Sequence, residues 1–262
     1  MRTTTFITSL IGILFAFSTT SCSQGPIIKG SKNYITKEVK VSNFNAIKLM
    51  GSADITYQQS SKTEVKIYGS DNIIPLLETF VDGNTLIIKF KKNTHIMNVG
   101  KLDIKVSSPD LNQLSINGSG DVKFANGIQT QGNIELGING SGDIQGKSFK
   151  CRNMSISING SGDISLHQIN SAKCSAQISG SGDITLSGKT IDAEYHISGS
   201  GDISASGLEA INVTATTSGS GDISCFANGG KLSGRVSGSG DVSYKGNPKD
   251  IDFPRKGLHK MD

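Results

Sequence analysis

From about residue 112 onward, apolar and polar positions alternate with a period of two, and the pattern restarts every 19 to 22 residues. Each restart centres on Gly-Ser-Gly-Asp, which occurs seven times, with its acids at Asp121, Asp143, Asp163, Asp183, Asp202, Asp222 and Asp241. The residue after the Asp is always Ile or Val. Five positions before it stand Ile116, Ile138, Ile158, Ile178, Ile197, Thr217 and Val236. Seven before it stand Leu114, Leu136, Ile156, Ala176, Tyr195, Ala215 and Gly234, and three after it come Phe124, Gly146, Leu166, Leu186, Ala205, Cys225 and Tyr244. Ser, Thr, Asn, Gln and Lys fill most positions between. Such alternation marks strands with one buried face. A single unit cannot close a core, but like columns stacked on like columns at about 4.8 Å can. The fold class predicted is all-β: a right-handed parallel β-helix or solenoid of about 20-residue coils. Gly-Ser-Gly supplies one bend, because glycine adopts backbone angles closed to other residues. Stretches such as His167 to Ser171 and Ser187 to Thr190 read as a corner loop.

The segment 31–115 is less regular and reads as strands plus a capping region that covers the first coil, since an open sheet edge invites pairing. A degenerate repeat, Gly51-Ser52-Ala53-Asp54, lies within it. Asp71 to Glu78 reads as one short helix, with Asp71 or Asn72 as cap and Pro75 in the first turn. The GSGD solenoid is expected over 116–245. The tail 246–262, opened by Gly246-Asn247-Pro248, is expected to cover the far end.

The N-terminus reads as an address. Phe6 to Phe17 is an apolar run of twelve residues. A bilayer span needs about 20, so the run fits a signal peptide instead. Ser21-Cys22 then resembles a lipobox, although Thr19 stands where a large aliphatic residue is usual. Residues 1–21 are therefore expected to be removed, Cys22 to carry lipid, and 22–30 to form a tether. The alternative is ordinary cleavage near Ser21. The expected location is exported: an outer-membrane lipoprotein facing periplasm or cell surface, with the membrane itself as a partner.

Composition narrows the functions. Charged residues make up 18%, the net charge is +4 and there is no Trp. That lacks the basic surface and stacking aromatics of a nucleic-acid binder, and no nucleic-acid partner is expected. Cys151, Cys174 and Cys225 cannot all pair internally. With no CxxC or Cys/His cluster, no zinc site is implied, and no cofactor is expected. Cys174 and Cys225 fall in inward columns, where a free thiol acts as a small apolar residue. A bond from Cys151 to Cys174 is left open.

The Asp column is the main candidate for chemistry. Stacked carboxylates about 5 Å apart repel by roughly 0.8 kcal/mol per pair in water. A cation would relieve this, and the seven Asp residues are a candidate cation or ligand ridge. The alternative is that each Asp and its neighbouring Ser bond backbone N–H groups at the glycine bend. No catalytic residue is assigned. Every Asp belongs to a repeated column, and His95, His167, His196 and His259 form no pair in register.

The ordered pieces Phe44 to Ile47, Gly51 to Tyr57, Asp71 to Phe80, Val81 to Phe90, Pro109-Asp110-Leu111, the Gly-Ser-Gly-Asp repeats and Gly246-Asn247-Pro248 together resemble the bacterial family "putative auto-transporter adhesin, head GIN domain". The resemblance covers nearly all of residues 31–250. It implies an exported, β-rich solenoid, frequently lipoprotein-anchored, and carries no catalytic residues. The function expected is a non-catalytic envelope lipoprotein that presents a β-solenoid surface to a glycan or protein ligand, as an adhesin. Alternatives are a periplasmic structural or assembly protein and a polysaccharide-acting β-helix enzyme.

Overall fold

The computed structural model describes residues 27–254 and 256–261. Residues 1–26, with the expected signal peptide and Cys22, lie outside the described residues. What is described is a parallel β-solenoid. One wall stacks Ala46–Gly51, Gln113–Gly118, Asn133–Gly140 and Asn153–Gly160 in register. It continues through the second halves of Ile164–Gly180, Ile184–Gly199 and Ile203–Gly219, then Lys231–Gly238 and Asp250–Asp252. A second wall follows the glycine bend, from Ile55–Gln59 through Val122–Phe124 to Leu258–Lys260.

The inward columns are those the alternation predicts. Ile116, Ile138, Ile158, Ile178 and Ile197 are fully buried and stack on one another. Burying such a side chain stabilises by about 1.5–3 kcal/mol. Thr217 continues this column and meets the cost of its buried hydroxyl by donating to the Gly221 carbonyl at 2.9 Å. Nine positions before the Asp, where Ile134, Met154 and Cys174 are buried, Asn112 is exposed and Leu111 beside it is buried instead.

The stretch read as a corner loop is instead a third wall. Ile169, Gly188 and Leu208 stack, as do Ser171, Thr190, Ala210 and Ala227. Phe149, Ile169 and Leu208 fill the core from this side. The backbone turns into this wall at register shifts between Leu166 and Ile169 and between Ala205 and Glu209. The buried Ser171 hydroxyl donates to Thr190 Oγ1 at 3.1 Å, and the Thr190 hydroxyl donates to the Asp192 carbonyl at 3.2 Å.

The N-terminal region is both first coil and cap. Gly51 to Asp54 forms a true coil directly beneath Gly118 to Asp121. The chain then doubles back. Thr85–Phe90 and Leu102–Ser108 stack on the opposite side of that coil, still parallel to it. Antiparallel strands finish this end: Leu77–Asp82 against Thr85–Phe90, and Tyr34–Val39 against Glu64–Ser70 against Leu102–Ser108. The helix expected over Asp71 to Glu78 shrinks to a single 3-10 turn, Ile74–Leu76, capped by Ile73 without a side-chain bond. Burial of Ile73, Ile74 and Leu77 commits the rest of the segment to the sheet. A separate parallel pair, Ile27–Lys29 with His95–Asn98, lies beside the cap.

Candidate functional site

The glycine bend is built by backbone approach. The first glycine of each bend has a positive φ, +143° at Gly180 for example. Its carbonyl accepts two N–H groups from the next coil: Gly160 O takes Ser181 N at 2.8 Å and Gly182 N at 3.3 Å. The second glycine is needed for space alone. A Cβ on Gly182 would stand 2.0 Å from the Gly162 carbonyl oxygen.

The seven Asp residues sit on this bend as one exposed or half-exposed column. Oδ1 of each accepts the backbone N–H of the Asp in the next coil, at 2.8–2.9 Å from Asp54 to Asp121 and onward to Asp241. The last carboxylate, Asp241, meets His259 Nε2 at 3.4 Å. Each bond thus runs between coils, where the sequence reading placed it within a single bend. Asp143, Asp163 and Asp183 also line a trough of about 270 Å³ with Gln145, Ser165 and Thr185. Among the described residues, no three His, Cys, Asp or Glu side chains gather as metal ligands.

The histidines stay apart. His167 lies 3.2 Å from Ser165 Oγ and 2.9 Å from Ser187 Oγ. Its far nitrogen therefore meets a hydroxyl, where a Ser-His-Asp site would have a carboxylate. His196 stacks between Gln177 and Thr216. Cys151, Cys174 and Cys225 are free and buried. Burial pushes the Cys151 thiol up to about 11, and the Cys174 and Cys225 thiols to about 12.

The sequence reading missed a shallow groove of about 420 Å³ over Phe124 and Gly146, walled by Lys123, Lys147 and His167. Its signal was Gly146, the one glycine in an otherwise apolar column. The Phe149 ring occupies the space a side chain there would need.

A regular polar surface runs along the outer side of the first wall. Four coils present Ser155, Ser175, Glu194 and Thr214 in one row, and Ser157, Gln177, His196 and Thr216 in the next. Asn117, Asn139 and Asn159 form an amide ladder at its edge, with bonds of 3.2 and 3.1 Å. This is a flat lattice of donors and acceptors with no aromatic platform.

The profile of the family "Putative auto-transporter adhesin, head GIN domain" matches residues 43–167 and again 135–248. The chain belongs to this family. Head GIN domain proteins of this description are exported envelope proteins. Among solved structures, a "putative adhesin" from Bacteroides fragilis NCTC 9343 is 33% identical, with 89% of this chain and all of that one covered and a TM-score of 0.70. A "putative lipid binding protein" from Parabacteroides distasonis ATCC 8503 is 29% identical over 90% of this chain and all of its own, at 0.81. A "putative adhesin" from Parabacteroides merdae ATCC 43184, 22% identical over 90% of this chain and 99% of its own, shares the fold at 0.81. No curated protein matches the chain.

Proposed function

We propose that the protein is a non-catalytic, lipid-anchored adhesin of the cell envelope, whose solenoid holds out the flat polar wall as its binding surface. The observation that supports this most is the use made of the acids. Six of the seven repeated carboxylates commit Oδ1 to the N–H of the next coil and the seventh meets His259, while the hydroxyls and amides of the outer wall stay exposed or half-exposed. Such a lattice suits a glycan or an extended protein segment, which it would hold through many weak hydrogen bonds. Family membership and the Bacteroides fragilis relative favour adhesion over enzymatic action. Cys22, directly after the apolar run, supplies the anchor.

The test is binding of the full chain carrying Cys22→Ser to arrays of glycans and matrix proteins. A ligand whose binding drops at least tenfold on Gln177→Arg with Thr216→Arg supports the reading. Silence across the arrays, with crosslinking in cells that recovers periplasmic partners, would favour an assembly role. Turnover of a polysaccharide would replace the reading with an enzyme.

A further inference from the structure

The two most exposed of the large apolar side chains are Met97, at 62%, and Ile27, at 59%. They come from opposite ends of the capping region, yet the fold places them on adjacent strands of the small parallel sheet, Ile27–Lys29 with His95–Asn98. The stretches that build this sheet, 27–34 and 91–101, contain Lys29, Lys32, Lys91, Lys92 and Lys101 and no acid. All five lysines are exposed, and none makes an ion pair with a described residue. Lys101 lies over the Tyr68 ring at 5.0 Å. Against a chain charge of +4, these two stretches carry more than the whole excess. Five lysines thus stand where the described apolar side chains are most exposed, with the Asp71 carboxylate, which accepts from Ser31 Oγ and Asn33 Nδ2, as the acid against them.

Position says what this surface meets. Ile27 is five residues after Cys22, so an acylated Cys22 lies within about 18 Å of the sheet even with the chain between them fully extended. We propose that this sheet is a membrane-apposed base: Ile27 and Met97 enter the interfacial layer, and the lysines engage anionic lipid headgroups. The inference rests on the lipid-anchor reading for its biological setting. Its physical content is separate. A base of this kind orients the solenoid, with the coil stack leading away from the bilayer from its N-terminal end. The lipid anchor alone leaves that orientation free, because attachment at one point limits distance and not direction.

The test uses residues 22–262, the chain expected after removal of the apolar run, with Cys22→Ser so that it cannot be acylated, floated with vesicles. One set is pure phosphatidylcholine and the other is mixed in equal parts with phosphatidylglycerol. The expected result is binding to the mixed vesicles only, weakened by salt. A basic residue near such a surface contributes roughly fivefold to partitioning, so Lys29→Gln with Lys92→Gln is expected to cut binding about 25-fold. Met97→Ser should weaken it further, while Lys173→Gln with Lys231→Gln, far along the stack, should change nothing. All these side chains are exposed, and far-ultraviolet circular dichroism checks that folding is intact. Equal flotation with both vesicle types, no flotation with either, or equal loss in the distal variant would overturn the proposal. Mass spectrometry of Cys22 in the native chain decides the anchor independently, so failure of one reading is not mistaken for failure of the other.

Discussion

Gly182→Ala isolates the force that holds the coils together. Gly182 has no left-handed φ, so alanine costs nothing in backbone angle. What it meets is the coil below. Its Cβ would stand 2.0 Å from the Gly162 carbonyl oxygen, where ordinary contact starts at 3.4 Å. The obstacle is backbone on a packed bend, so it cannot swing aside. Relief requires the two coils to part at this corner. Four bonds cross there: Ser181 N and Gly182 N to Gly160 O, Asp183 N to Asp163 Oδ1, and Ile164 N to Asp183 O. At about 1 kcal/mol each, with more for the carboxylate, losing three or four costs about 3–5 kcal/mol. For a chain of this size that lowers Tm by roughly 6–20 °C. The control is Gly132→Ala, whose nearest neighbour would be Thr130 Oγ1 at 3.6 Å and whose φ is ordinary. It should be neutral or stabilise by about 0.4–1 kcal/mol through the unfolded chain. Urea denaturation followed by circular dichroism reads both. If Gly182→Ala lies within about 0.5 kcal/mol of wild type, the stacking argument is wrong.

Three further outcomes follow from the same geometry. Asp183→Asn keeps the acceptor for Asp202 N and removes charge, so stability should move by less than about 0.5 kcal/mol; Asp183→Ala loses a charge-assisted bond worth about 1.5–3 kcal/mol, partly offset by relieved repulsion, and should cost about 1 kcal/mol in urea melts. The raised thiols stay protonated in the folded chain while the unfolded chain ionises near pH 9, so stability should be level below pH 9 and fall as pH rises toward 12, with iodoacetamide labelling at pH 8 only after denaturation. Tyr195 buries a hydroxyl with no partner among the described residues, so Tyr195→Phe should leave Tm unchanged or raise it, and a fall of several degrees would reveal a bond there.

The coil and its inward columns were legible because Gly-Ser-Gly-Asp fixes the register and most positions of each column stay apolar down the stack, with Thr217, Gly146 and Gly234 among the exceptions. The third wall was not. Between Leu166 and Ile169 the backbone turns a corner and slips register, so Ile169 and Leu208 fall out of the period-two count although they are buried. The Asp column was visible, but its bonding was not: sequence shows that Asp183 recurs, and only the coil spacing shows that it serves Asp202. Doubling back in the cap also escaped the sequence. Asp54 and Asp121 are direct neighbours although 67 positions apart in sequence, and nothing in the residues between announces that they return to the far side of the first coil. The short helix failed because Leu77 already enters the strand Leu77–Asp82 that pairs with Thr85–Phe90, which leaves only Ile74–Leu76 for a turn; Ile73, Ile74 and Leu77 would share one helix face, so periodicity could not reveal this.

The central claim is that the solenoid faces outward as a binding surface. Intact cells exposed to a protease that cannot cross the envelope, with lysed cells as the control for cleavability, test it most directly. The account predicts that the protein is cut on intact cells. Protection until lysis would place the solenoid inside the envelope and contradict the adhesin reading.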